Sequence, residues 1–512
     1  MRRAVLNIWR LLRIAWILAR YDALFLLEAI HTAPAITAFA RLAPRRRGLG
    51  RPGQRLAQAL QRLGPSFIKF GQTLSTRSDL LGEEIARDLS ELQDRLPPFP
   101  SAKARAIVEA ELGRPLDELF SHFDDEPVAA ASIAQVHFAV TTEGREVAVK
   151  VLRPGIEDAF ALDLDLFYWV AEMAERTLPA WRRLKPVEVV RTVADSVAIE
   201  MNLCFEAAAA SELRANFAND AGFRVPAVDW SRTAQRVLTL ERISGIRIDR
   251  RDALTEAGHN PEVIAAAAAQ AVFNQVFRDG FFHADLHPGN LFVEADGAIV
   301  AVDFGIMGRL DTDTRRYLAE MLLGFLTGDY ERVAAVHFEA GYVPAGKSKD
   351  SFIQACRSIG EPILGRPLNE ISIAQLLAQL FRITKTFEME TQPQLLLLQK
   401  TMLIAEGLGR TLTPESNIWQ LTQPLIEDWV RNNLSPEARL RGAVCDLFGI
   451  LHRLPQLVGN ADAALRVIAE GRSASGPEPA PRPPANSGWP RAATVALWVI
   501  AGLLAALLAL SL

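Results

Sequence analysis

The sequence has little cysteine: Cys204, Cys356 and Cys445 are the only three in 512 residues, and no C-x-x-C occurs. A disulfide scaffold and a cysteine-rich zinc module are excluded, and a reducing compartment fits. The chain also lacks a strong charge of one sign. Its formal net charge of −4 argues against a nucleic-acid protein. With 49% hydrophobic and 23% charged residues, neither global disorder nor a fibrous rod is compatible. No secretory signal is expected, because Arg10 and Arg13 leave only residues 14–19 as an unbroken apolar stretch near the start. Such a signal needs roughly 7–15 residues there.

The near-neutral total hides an asymmetry. Residues 1–62 carry twelve arginines and no lysine against Asp22 and Glu28, so the remainder is acidic. The first twenty residues read as a helix with Arg3, Arg10, Arg13 and Arg20 in one sector and Ile8, Trp9, Leu12, Trp16 and Ile17 largely outside it. Such a helix suits an anionic membrane surface, and equally a docking helix with a solvated face. At the other end, residues 492–512 are 21 uncharged residues, AATVALWVIAGLLAALLALSL. At about 1.5 Å per residue they match a bilayer core of about 30 Å. Arg491 precedes them and no basic residue follows, which puts the body in the cytoplasm by the positive-inside trend. Residues 471–490, with six prolines, form an extended linker.

Between the ends the patterns alternate. Residues 66–92 and 101–112 read as helices on either side of Pro97, Pro98 and Pro100. Runs 135–141 and 145–151 read as strands joined by Thr142-Glu143-Gly144. Helical patterns occupy 156–178, 186–218 and 264–278, and 236–240 reads as a short strand. Runs 291–293 and 298–303 flank Asp296-Gly297, a hairpin signal. From 311 to 470 the chain reads as helical. The expected class is α+β, predominantly helical and bilobal. The expected division is a basic region 1–62, a helical extension 63–127, an N-lobe 128–245, a C-lobe 246–470, a linker 471–490 and a transmembrane anchor 491–512.

The chemistry concentrates in FFHADLHPGNLF at 281–292 and VDFG at 302–305. Phosphoryl transfer needs a carboxylate to orient the attacking hydroxyl and oxygen ligands for Mg2+. Asp285 suits the first role; Asn290 and Asp303 suit the second. The five-residue step from Asp285 to Asn290 is that of a kinase catalytic loop. His283, Asp285 and His287 also admit a zinc reading, if alternation on a strand gives them one face. Upstream, VAVK ends at Lys150, the type of lysine that holds α- and β-phosphates. Glu200 and Glu206 are its candidate partners, about 120° apart on a continuous helix and so suited to different ones.

Three kinase features are absent. No G-x-G-x-x-G stands in the place just before the VAVK strand; the one that occurs, GLGRPG at 48–53, follows three arginines rather than a strand and holds Pro52 inside it. Val128, Ala129, Ala130, Ala131, Ser132, Ile133, Ala134 and Gln135 occupy that place as the candidate ATP-binding loop, stiffer than a glycine loop. Ala284 stands where H-R-D has arginine. After Asp303-Phe304-Gly305 the chain passes almost directly into a helical pattern at 312–326, leaving no platform for an extended peptide.

Together these residues resemble the UbiB family of atypical protein-kinase-like proteins. The likeness is carried also by Lys69-Phe70-Gly71-Gln72, the family's K-x-G-Q, by Leu92-Gln93-Asp94, and by the alanine loop. The resemblance implies a bilobal kinase-like fold whose N-terminal extension covers the cleft. It implies ATP and Mg2+ as cofactors, ATPase activity ahead of protein phosphorylation, and a role in ubiquinone biosynthesis at the bacterial inner membrane. Partners would be a membrane lipid or polyprenyl quinone precursor and ubiquinone biosynthesis proteins. Glu206 would pair with Lys150, and Glu200 would face Lys69 within an E-x-D motif. Here Asn202 stands in place of that Asp, one negative charge fewer. A small-molecule phosphotransferase of the aminoglycoside or choline kinase type, and a non-catalytic scaffold, are the alternatives.

Overall fold

The computed structural model describes residues 2–23, 50–75, 83–90, 97–177, 186–361, 379, 383, 386–389 and 392–413. Leu92-Gln93-Asp94, the linker 471–490 and the apolar segment 491–512 lie outside the described residues. No described helix is long and apolar enough to cross a membrane.

Four helices come first: α1 (Arg2–Arg20), α2 (Pro52–Leu63), α3 (Pro65–Ser75) and α4 (Glu83–Ser90). The basic face of α1 turns partly inward. Arg10 donates to the Leu162 carbonyl at 2.5 Å and pairs with Asp163, while Asn7 reaches Asp165 at 3.3 Å. Trp9 is 73% exposed and Leu12 points outward too. Arg10 is thus satisfied by the body of the protein, which is the docking-helix arrangement.

An antiparallel sheet follows α5 (Ser101–Leu112) and α6 (Leu116–Leu119). Its strands are β1 (Phe120–Phe123), β2 (Ala129–Ala130), β3 (Ala134–Thr141), β4 (Glu146–Leu152) and, after three helices, β6 (Val237–Glu241). The order is β1-β3-β4-β6, with β2 on β3. Gly144, at φ +84°, makes the β3–β4 turn where a side chain would be strained. Val147, Val149 and Val151 of β4 are buried against Val108 and Leu119. Each such burial contributes roughly 1.5–3 kcal/mol. A one-residue slip would drive Lys150 into this core, so the register is strongly fixed.

Helices α7 (Ile156–Thr177), α8 (Pro186–Glu200) and α9 (Leu203–Asn216) lie between β4 and β5 (Phe223–Arg224). The expected helix over 186–218 is broken at Met201-Asn202: the Asn202 side chain accepts the Cys204 N–H at 3.1 Å and starts a new helix. After β7 (Ile246–Arg247), α10 (Arg251–Glu256) and α11 (Pro261–Phe273), the expected α-helix to 278 widens into a π turn at Asn274–Asp279. The turn brings the buried Gln275 to the His283 N–H, which its side-chain oxygen accepts at 2.9 Å. Strand β8 (Phe281–His283) pairs with β11 (Met307–Arg309). Between them β9 (Leu291–Val293) and β10 (Ile299–Ala301) form the expected hairpin in a sheet ordered β5-β10-β9-β7. Helices α12 (Thr312–Thr327), α13 (Tyr330–Glu339), α14 (Lys349–Gly360) and α15 (Pro393–Leu412) complete the described chain.

Candidate active site

Lys150 projects from the face of β4 opposite the buried valines. Its Nζ donates to both Glu206 carboxylate oxygens, at 2.8 and 2.9 Å, and to Asp303 Oδ1 at 3.1 Å. Burial alone would lower the Lys150 ammonium, but Asp303 and Glu206 outweigh it and raise its pKa. The same ammonium holds the Asp303 carboxyl well below the ordinary range. Burial raises Glu206, which Lys150 opposes. Glu206 also accepts the Phe304 N–H at 3.4 Å, tying α9 to the Asp303 segment.

The hairpin β9–β10 gathers the remaining polar groups at one end. Val302 N–H donates to the Asn290 carbonyl at 2.9 Å, so the residues before β9 and after β10 lie side by side. The Asn290 side chain donates to the Asp285 carbonyl at 3.3 Å. Asp303 has φ +65°, a left-handed backbone unusual for a non-glycine residue, and the next ring, Phe304, is buried.

His283 is fully buried, and burial lowers its pKa. Its Nδ1 accepts the Asp285 N–H at 3.1 Å, and its ring lies 5.8 Å from that of Phe304. The premise of the zinc reading fails here. Strand β8 stops at His283, and His287 Nδ1 caps a turn by accepting the Gly289 N–H at 3.1 Å. Among the described residues no three His, Cys, Asp or Glu side chains are grouped to hold a metal ion.

The alanine loop is a tight hairpin. Ala129 and Ala130 form β2, and Ala131 N–H closes the turn on the Ala134 carbonyl at 2.8 Å. Arg153 clamps it, donating to the Ala131 carbonyl at 2.9 Å and to the Pro97 carbonyl at 3.0 Å. The Gln135 side chain is spent elsewhere. It bonds both backbone groups of Phe99, at 3.0 and 3.3 Å, and His137 Nε2 at 2.8 Å. Its amide therefore anchors the extension to the sheet, where the sequence suggested a nucleotide contact. The Ser132 hydroxyl is buried with no hydrogen-bond partner.

Lys69 on α3 meets Glu200 at 3.0 Å, both side chains largely shielded. Helix α3 is held there by Phe67 and Phe70, whose rings lie 5.7 and 5.6 Å from Phe167 on α7. The Lys69 charge also acts on Asp303, so the extension reaches the cleft. Gln72 falls on α3, but its side chain lies outside the described residues. Asn202 caps α9 and leaves the Lys69–Glu200 pair intact. Glu200 and Glu206 serve different lysines, as expected, but from two helices and not one.

Sequence reasoning missed the contribution of α15. Lys400 Nζ lies 2.8 Å from Asp285 Oδ1, and Thr401 Oγ1 is 3.4 Å from the His283 carbonyl. The available signal was a lone lysine inside the apolar run LLLLQKTMLI at 395–404. Arg153 gave no such signal.

The ABC1 atypical kinase-like domain matches residues 91–337, and the UbiB helical domain matches residues 356–417. A Marinobacter nauticus protein named probable protein kinase UbiB is 45% identical over 473 residues, covering 90% of this chain and 86% of that one. Its namesake in Azotobacter vinelandii is 44% identical over 475 residues, covering 91% and 88%. A solved Mycobacterium tuberculosis structure, the complex of Rv3197 with erythromycin, is 25% identical, covers 73% of this chain and 95% of that one, and has a TM-score of 0.48. The fold is kinase-like, mixed helix and sheet and mostly helical, and the chain belongs to the UbiB family of atypical kinase-like proteins.

Proposed function

We propose that the chain is a membrane-anchored atypical kinase or ATPase that uses ATP with Mg2+ and serves ubiquinone biosynthesis. The observation that carries this reading is the convergence of Glu206 and Asp303 within 3.1 Å of the Lys150 ammonium, beside the hairpin end bearing Asp285 and Asn290. The residues fit the groups they would hold. Asn290 and Asp303 offer oxygen ligands of the kind Mg2+ takes, few in number and completed by phosphates. Ser132 offers an orphaned buried hydroxyl in the loop over the nucleotide.

In this reading Lys150 holds the α- and β-phosphates, with Glu206 keeping it in place. Bound Mg2+ supplies neutralisation of phosphate charge. Asp285 receives the proton of the attacking oxygen. The new bond joins that oxygen to the γ-phosphorus. The bond to the β–γ bridging oxygen breaks, and ADP leaves with the electron pair. The acceptor is water or a hydroxyl of a lipid-like quinone precursor. Support comes from the short path after Asp303: residues 307–309 pair with β8, and Asp311 caps α12 by accepting the Thr314 N–H at 2.7 Å. That path leaves no extended segment on which a peptide would lie. Residues 491–512 would anchor the protein in the bacterial inner membrane with its body in the cytoplasm.

The test is Mg2+-dependent ATP turnover and nucleotide binding by Asp285→Asn, with quinone profiling of a deletion strain carrying either form. Lost turnover, retained binding and lost ubiquinone are expected. Full turnover by Asp285→Asn would sink the reading.

A further inference from the structure

The Asp285 carboxylate has one cationic partner among the described contacts, and it comes from far along the chain. Lys400 Nζ lies 2.8 Å from Asp285 Oδ1, with the two side chains 30% and 35% exposed. Helix α15, which carries Lys400, is seated by other residues. Leu398, Met402, Ala405 and Leu408 are buried in the core that also holds Phe282, Ala284, Leu286 and Phe304. Thr401 is fully buried beside the His283 carbonyl. Packing on both sides of Lys400 thus fixes where its ammonium falls, and the helix does not need that ammonium to stay in place. A half-exposed ion pair contributes only about 0–1 kcal/mol to stability. A lysine in an apolar run is then poorly explained by folding, and well explained by the carboxylate it meets.

We propose, resting on the phosphoryl-transfer reading above, that Lys400 is a positioning residue for that reaction. It holds the Asp285 carboxylate in the orientation that receives the proton of the attacking oxygen. The backbone of Asp285 is already fixed by His283 and Asn290; Lys400 supplies the restraint that the side chain lacks. Asp285 lies in the segment matching the ABC1 domain and Lys400 in the segment matching the UbiB helical domain. The helical domain is therefore part of the reaction centre and not only a buttress, and the kinase-like segment alone is incomplete.

The experiment compares full-length wild type, Asp285→Asn, Lys400→Met, Lys400→Arg and the Asp285→Asn/Lys400→Met double variant. Steady-state Mg2+-dependent ATP hydrolysis, nucleotide binding and thermal melting are measured for each. Lys400→Met is expected to lower kcat roughly ten- to a hundredfold, below the ~10²–10⁴-fold worth of a complete proton-transfer group. KM for ATP should stay within about twofold, because the restraint acts on the reacting step and not on uniform binding. Lys400→Arg should recover part of the loss. The double variant should be no slower than Asp285→Asn, since residues acting as one unit are not additive. Wild-type kcat in Lys400→Met alongside an inactive Asp285→Asn overturns the proposal and leaves the functional reading standing. A further loss in the double variant overturns it as well. An active Asp285→Asn removes the functional reading and this inference with it. Should Lys400→Met melt early, Lys400→Gln, which keeps the stem and a polar end, decides by the same criteria.

Discussion

Lys69 Nζ sits 3.0 Å from Glu200 Oε2, and this pair joins the N-terminal extension to the helix that ends just before α9. Six residues after Glu200, Glu206 takes Lys150. Two glutamates close in sequence are sent to two lysines because Asn202 ends one helix and begins the next.

Removing Lys69 takes away the ammonium that faces the shielded Glu200 carboxylate. Lys69→Met is expected to cost about 2–3 kcal/mol in urea unfolding, somewhat less than the roughly 3–5 kcal/mol of a fully buried pair. A Lys69→Met/Glu200→Met double variant should recover part of that loss. A double variant as unstable as the single would show that the pair does not link the two helices energetically.

Asn202 acts as a cap, with its side chain accepting the Cys204 N–H. Asn202→Ala should lower stability by about 1 kcal/mol, the usual worth of such a cap. Asn202→Asp should be neutral or slightly stabilising, because Asp caps as well and its charge suits a helix N-terminus. Denaturant midpoints of the three proteins check this. An Asn202→Ala protein as stable as wild type would contradict it.

Arg153 ties the alanine loop to Pro97. Arg153→Met should free the loop and raise KM for ATP roughly tenfold with a smaller change in kcat, the mark of lost uniform binding. Steady-state kinetics over ATP concentration read this out. An unchanged KM would show that the clamp serves folding alone.

His337 is buried, donates from Nδ1 to the Val333 carbonyl at 2.7 Å and packs edge-on against Phe352, with Tyr342 also near its ring. Burial pushes its pKa down to about 4. The unfolded value is about 6.5, so the unfolded state takes up a proton first as pH falls. The stability from neutral His337 is complete above about pH 6.5 and is lost on descent toward pH 4, by roughly 3 kcal/mol in all. Unfolding free energies of wild type and His337→Phe between about pH 7.5 and about pH 4.5 test it, with a flatter profile expected in the variant. Parallel profiles would assign the acid sensitivity elsewhere.

Much of the candidate site was legible because its signals are local. The spacing from Asp285 to Asn290 and the Asp303-Phe304-Gly305 triplet are set by short backbone segments. The hairpin between them is announced by Asp296-Gly297, where Gly297 adopts φ +87°. The β4 strand carrying VAVK was also legible, and its burial alternates in the structure so that Lys150 lies opposite the buried valines. The helix break at Asn202 was less visible, since a capping residue inside a helical pattern reads equally well as a surface position. The π turn at 274–279 was hidden for a similar reason: apolar periodicity continues through it, and only the need of the His283 N–H for the Gln275 side chain selects it.

The sequence by itself determined the candidate residues Lys150, Asp285, Asn290 and Asp303 and the hairpin between Asn290 and Asp303, because spacing along a chain fixes geometry over a few residues. Only the tertiary structure decided who meets whom. Arg10 turns to Leu162 and Asp163, Gln135 turns to Phe99, and Lys400 reaches Asp285. These partners are brought together by the packing of whole helices and sheets, and no periodicity in the chain encodes a contact made across such distances.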